Sequence, residues 1–167
     1  MIAMVAERWI VLIVAAASVT FVAVMGGLLT EVGAWYESLN FPSWRPPNWL
    51  FGPAWALIYL FIATSGVMAW ERAPSDRMRG WLIGLFVVNA ALNISWSALF
   101  FRLQRPDWAL IDLLAFWVSI LALIIFIGSY SIAAAAVLGP YLAWVTFAGI
   151  LNLRMVQLNA PFGAAVG

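Results

Sequence analysis

The sequence predicts an all-α integral membrane protein: a bundle of five transmembrane helices with a long folded loop between the first and second. Three observations carry this reading. Of 167 residues, 66% are apolar and 9% are charged, whereas an ordinary soluble domain is about half apolar and a quarter charged. Mean hydropathy is +1.01, and eight basic and seven acidic residues are too few to cover a globule of this size. The charges also cluster, leaving uncharged runs of 22 residues (Trp9 to Thr30), 25 (Pro46 to Trp70), 22 (Gly80 to Phe101) and 41 (Leu113 to Leu153). A helix needs about 20 apolar residues to cross a bilayer. None of the runs shows the strict alternation of a barrel strand.

The first helix is expected over about residues 8–30. Its apolar run is too long for a cleaved signal segment, and the charge of Arg8 is offset by Glu7, so it reads as a retained span. Residues 31–47 (EVGAWYESLNFPSWRPP) set three prolines among large aromatics. A loop of that length in a compact domain is usually functional or disordered, and this one is too aromatic for a plain linker. It reads as a folded cap over one end of the bundle. The plainer alternative is that its Trp and Tyr side chains only anchor at headgroup depth.

The second and third helices are expected over about 48–70 and 79–101. The longest uncharged run is about twice one span. Gly128-Ser129-Tyr130-Ser131 divides it into helices of about 107–128 and 132–157, and Gly139-Pro140 supplies a second breaker. The whole chain, 1–167, reads as a single five-helix transmembrane domain without an internal repeat. Five spans put Arg8, Arg72, Arg77 and Arg79 on one side and Arg45, Arg102, Arg105 and Arg154 on the other. With four against four, the positive-inside rule does not decide the topology.

The composition excludes much chemistry. A net charge of +1 provides no basic surface for nucleic acid. With no Cys and no His there is no disulfide, no thiol nucleophile, no thiolate or imidazole metal site and no histidine base. Nothing resembles a nucleophile–base pair or a metal centre. Aromatic rings remain in excess: 11 Trp, 11 Phe and 4 Tyr.

Polar residues inside apolar helices tend to face the bundle interior. The third helix carries Asn89 and Asn93 one turn apart, with Trp96 and Phe100 continuing the stripe. The second places Trp55 and Tyr59 four apart. The fifth aligns Trp144, Ala148 and Asn152, with Gly149 beside them. If the three faces converge beneath the cap, they form a pocket of large π surfaces and a few amide donors, suited to a broad, flat, hydrophobic molecule with polar edges. For any one residue the alternative is helix–helix glue. Asp112, one turn past Trp108, is either an intramembrane proton or ligand site or, in the plainer reading, lies near the interface, where it snorkels or pairs with Arg102 or Arg105. Gly80 and Gly84 form a GxxxG pattern compatible with a homodimer. The proposed sterol pattern fails, because Arg154 is too far from Leu138 and Tyr141.

These residues resemble a known family. Trp35-Tyr36, then Pro42-x-Trp44-x-Pro46-Pro47-x-Trp49-x-Phe51-x-Pro53-x-Trp55 and Leu57-x-Tyr59, are similar to the signature of the tryptophan-rich sensory protein/translocator protein family, the peripheral-type benzodiazepine receptors. Asn93-x-x-Trp96, Phe100-Phe101, Trp108-Ala109-Leu110-x-Asp112, Pro140-Tyr141-x-x-Trp144, Leu151-Asn152 and Leu158-Asn159 extend the match. The resemblance implies a five-helix, often dimeric membrane protein that binds porphyrins such as protoporphyrin IX, haem-related tetrapyrroles, cholesterol in some members, and synthetic benzodiazepine-type ligands. It needs no cofactor or metal beyond that ligand, and a bacterial cell membrane is the expected location. Carried over by motif, Tyr36, Pro46, Phe51, Trp55, Tyr59, Asn93, Trp96, Trp144 and Ala148 line the ligand site. A light- and oxygen-dependent porphyrin-degrading activity using Trp55 and Trp144 is one alternative role, and translocation of porphyrin or sterol-like lipids is another. Phe41 stands where many members carry Lys, and the animal-type sterol motif is missing.

Overall fold

The computed structural model describes residues 2–162, with side chains from Arg8 onward. Helix α1 (Ile2–Leu29) starts six residues before the expected boundary, since the Ala-, Met- and Glu-containing segment ahead of Arg8 favours helix. A five-residue helix, α2 (Ala34–Ser38), lies within the cap loop. The second span is α3 (Asn48–Arg72). The third, α4 (Asp76–Ser97), is capped by the Ser75 hydroxyl, which accepts from the Met78 amide at 3.3 Å. Helix α5 (Pro106–Gly128) begins on a proline, whose missing N–H would be unpaired in the first turn anyway. The last span is divided into α6 (Ile132–Val137) and α7 (Gly139–Asn159).

Two departures from regular helix shape the interior. Pro140 has no N–H to offer one turn back, so the last span breaks at Leu138, whose amide turns to the Ala135 carbonyl at 3.0 Å. Gly139-Pro140 therefore acts as a kink within one span, while Gly128–Ser131 makes the turn between spans. The third span ends in a π-helical turn, Ala98–Arg102. Neighbouring residues on an α-helix point about 100° apart. The wider turn lets Phe100 and Phe101 both reach the same aromatic cluster, with centroids 4.8 Å apart.

The five spans close into a ring. Helix α1 packs against α3, α3 against α6 and α7, α7 against α5, α5 against α4, and α4 against α1. Spans one, two, five, four and three thus follow one another around an interior. All five are long and apolar enough to cross a membrane. Polarity is distributed as a bilayer requires. Ile111, Ile132 and Trp49 stand 72%, 80% and 71% exposed, while Asn89, Asn93 and Asn152 are buried. Exposed apolar side chains meet lipid, and the amides are kept for helix contacts. This is an integral membrane protein.

Packing inside the ring uses close approach and hydrogen bonds, because lipid tails leave little hydrophobic drive between helices. A Cβ on Gly149 would stand 3.0 Å from a Leu113 methyl, so α5 and α7 meet at that glycine. Ser65 of α3 donates to the Ala134 carbonyl of α6 at 2.8 Å, and Asn152 of α7 donates to the Pro106 carbonyl of α5 at 2.9 Å. Tyr141 donates to Asn89 at 2.9 Å, Asn89 to Ser119 at 2.8 Å, and Ser119 to the Phe116 carbonyl at 2.7 Å. That relay joins α7, α4 and α5.

Candidate ligand site at the capped end of the bundle

The 31–47 segment is fastened at both ends and in the middle. Arg102 pairs with Glu31 at 3.0 Å and donates to the Leu28 carbonyl at 2.6 Å, tying the end of α1 to the π-helical turn. In the middle, Asn159 at the end of α7 clamps Asn40. Its carbonyl oxygen accepts from the Asn40 amide at 2.7 Å, and its amide donates to the Asn40 carbonyl at 2.9 Å. The loop enters α3 through Pro46 and Pro47, which hold it extended up to the helix start. A backbone satisfied this way belongs to a folded cap.

Rings in and beneath the cap pack in two connected sets. In the first, Tyr36 lies 5.7 Å from Phe101 and 5.0 Å from Phe41. Phe101 meets Trp96 at 6.1 Å, and Trp35 meets Phe100 at 6.1 Å. In the second, Trp144 is edge-on to Phe51 at 5.9 Å and to Trp55 at 6.5 Å. Phe147 joins Trp144 at 5.5 Å and Trp44 at 6.0 Å, and Tyr59 joins Trp55 at 5.5 Å. Trp96 packs against both hydrophobic clusters, bridging the cap to the main core. The contact from Tyr59 to the Asn93 carbonyl oxygen, 3.5 Å, links the second set to α4.

Seven of the nine residues expected at the site belong to these two sets or touch them, Tyr36, Phe51, Trp55, Tyr59, Asn93, Trp96 and Trp144, and Ala148 packs against the main core. Pro46 sits half-buried in the cap beside them without a ring contact of its own. Sequence reasoning misses Trp35, Phe41, Trp44 and Phe147 as wall members, and it finds Phe100 and Phe101 only as stripe or motif residues. Phe147 carries a usable signal, since it lies one turn beyond Trp144 on the same helix.

Three nitrogens among the rings stand apart. The indole N–H groups of Trp96 and Trp144 and the amide nitrogen of Asn93 are buried and have no hydrogen-bond partner among the described residues. All three are donors. Buried donors without acceptors are rare because each costs about 1–3 kcal/mol. An acceptor atom brought among these rings would meet donors that have no other partner among the described residues.

Three other features sort differently. Asn89 is fully engaged in the relay to Tyr141 and Ser119, so it holds helices together. Of the two expected fates of Asp112, to snorkel or to pair with Arg102 or Arg105, the pairing is not made. Those arginines are taken by Glu31 and Asp107, and Asp112 accepts instead from Ser95 of α4 at 2.6 Å. An open groove of about 350 Å³ runs along Val19, Thr20, Ala23 and Val24 of α1 beside Ala56 and Tyr59 of α3. Only Tyr59 belongs both to the groove and to the ring walls.

Comparison with known proteins agrees with this architecture. The sequence pattern of the TspO/MBR family matches residues 10–158, from the first span to the end of α7. A tryptophan-rich protein TspO of Archaeoglobus fulgidus is 39% identical over 130 residues, covering 78% of this chain and 83% of its own length. A translocator protein of Bos taurus is 38% identical over 126 residues, covering 75% of each chain. A protein named CrtK from Rhodobacter capsulatus is 34% identical over 133 residues, 80% of this chain and 83% of its own. The stretch matched by the family pattern takes in the cap, both ring walls and all five spans, and on that evidence the chain belongs to the TspO/MBR family.

Proposed function

We propose that this chain is a binding protein and sensor for porphyrins, protoporphyrin IX-like tetrapyrroles, and related flat hydrophobic ligands, with a regulatory role in a bacterial cell membrane. The observation that carries the reading is the trio of buried N–H donors of Asn93, Trp96 and Trp144, which have no hydrogen-bond partner among the described residues and sit on or beside the packed rings. Rings supply stacking area and the donors orient a planar guest by its acceptor edge. With no His or Cys in the chain to hold iron axially, a metal-free porphyrin suits the site better than haem. The homodimer expected from Gly80 and Gly84 belongs to the same proposal. Both glycines lie exposed on α4, and a Cβ added to either would meet no atom within 4 Å, so a second copy can approach there.

The test is quenching of intrinsic tryptophan fluorescence by protoporphyrin IX in detergent. Saturable quenching is expected. The Trp55→Phe/Trp144→Phe double variant should bind on the order of tenfold more weakly while keeping its helical circular dichroism, through loss of indole contacts. Unchanged affinity in that variant, or no saturable quenching by any tetrapyrrole, rejects the site. Illuminating the complex in air separates binding from degradation. Protein-dependent pigment loss that Trp144→Phe abolishes would add a photo-oxidative activity to the binding role. A translocator role has less support, since no charged pathway crosses the core, and flux into reconstituted vesicles measures it directly.

A further inference from the structure

The guanidinium of Arg45 is placed in the cap without an opposing charge. It lies 3.7 Å from the centre of the Phe41 ring and 5.8 Å from that of Tyr36, and it donates to the Tyr36 phenol oxygen at 3.5 Å. The side chain is half-buried. The other cap-end cations are engaged: Arg102 with Glu31, Arg105 with Asp107, and Arg154 with the Gln157 side chain at 2.9 Å. Arg45 makes no ion pair with any described carboxylate. Burial holds the Tyr36 phenol above its ordinary value of 10.0, so near neutral pH it keeps its proton and leaves the guanidinium charge uncompensated.

Cation–π contacts steady a guanidinium but do not neutralise it. A charge withdrawn from water usually has an anionic partner. The ring it rests on begins the first aromatic wall, which runs from Phe41 through Tyr36 and Phe101 to Trp96. The unpartnered nitrogens of Asn93, Trp96 and Trp144 are donors, and the cation at the cap end extends that series. The Tyr36 oxygen already accepts from Arg45, so its own O–H is available as a further donor.

Building on the porphyrin-site reading, we propose that Arg45, with the Tyr36 hydroxyl beside it, is the anion-recognition element of the site, selecting flat hydrophobic ligands that carry an ionised carboxylate on one edge. The apolar body lies between the ring walls, and its carboxylate meets the guanidinium held on Phe41. Charge-assisted bonds of this kind are about twice as strong as neutral ones, so the preference depends on the charge of the ligand rather than on its ring.

The experiment compares protoporphyrin IX with its dimethyl ester, which keeps the macrocycle and removes both charges, by fluorescence titration of the full chain in detergent. Wild-type protein is expected to bind the free acid about tenfold more tightly than the ester, and the difference should shrink as salt is raised. In Arg45→Gln the acid should weaken until the two ligands agree within about twofold, while ester affinity stays at its wild-type value. Arg45→Lys should keep part of the preference. An acid preference that survives in Arg45→Gln overturns the assignment and leaves the aromatic site standing. Equal loss of both ligands overturns it as well, making Arg45 a structural brace of the cap. Failure of both ligands to bind wild-type protein rejects the site and the assignment together.

Discussion

Asn89 and Asn93 sit one turn apart on α4, and their neighbours give them different tasks. Asn89 receives the Tyr141 hydroxyl and donates to Ser119; Asn93 keeps a buried amide nitrogen without a hydrogen-bond partner among the described residues. Asn89→Leu should therefore strip Tyr141 of its acceptor and lower the melting temperature in detergent, at a cost on the order of 1 kcal/mol, with porphyrin affinity held within about twofold. Asn93→Leu should do the reverse, weakening porphyrin severalfold with little change in melting. Identical responses of the two variants would mean the site does not end where the partnered amide begins. Sequence spacing puts both residues on one stripe and stops there, because periodicity reports which face a residue occupies and not whether its hydrogen bonds are made. Asp112 illustrates the same limit. Its neighbours in sequence suggest an arginine partner, but those arginines pair with other acids and Ser95, on another helix, takes their place.

Among the elements, the cap has the most to reveal. Its prolines and aromatics mark it as folded from sequence alone, yet its fastening is invisible there, since the clamp joins Asn40 to a residue 119 positions away. Asn159→Ala removes both bonds to Asn40 and the 2.8 Å bond to the Met155 carbonyl. At about 1 kcal/mol for each bond to the loop, amide exchange across 34–45 should accelerate by about tenfold or more, while the spans exchange as before. Hydrogen exchange followed by mass spectrometry measures this. Acceleration spread over α7 instead would show that Asn159 supports the helix end and not the cap. The π-helical turn is likewise unreadable as such. Its one trace is the Phe100-Phe101 pair, two adjacent rings that regular α geometry cannot aim at the same cluster. The broken last span is half legible: the spacing gives 132–157 as one crossing with Gly139-Pro140 as a breaker inside it, and only the structure shows that the helix actually divides there into α6 and α7.

On the scale of the whole molecule, ring closure and self-association make opposite demands on glycine. The composition points to a lipid-facing bundle, but the order of spans around the ring depends on which helices approach closely, and in sequence all these glycines look alike. Gly149 lies at the α5–α7 seam, 3.0 Å from a Leu113 methyl once a Cβ is added, whereas Gly84 faces open space. A Leu113 methyl can turn aside for one carbon, so Gly149→Ala should be mild. Gly149→Leu has to push α7 away from α5, a strain of about 1–3 kcal/mol, and should lower the melting temperature. Because Trp144 and Ala148 ride on α7, it should weaken porphyrin binding as well. Gly84→Leu meets nothing within the protomer and should leave melting and binding unchanged, so any effect must appear in the oligomer. If the α4 face carries the homodimer, light scattering in detergent will show Gly84→Leu shifted to monomer and Gly149→Ala still dimeric. A Gly84→Leu protein that remains dimeric places the contact on another face, and one that melts early means α4 is less open than its surroundings indicate.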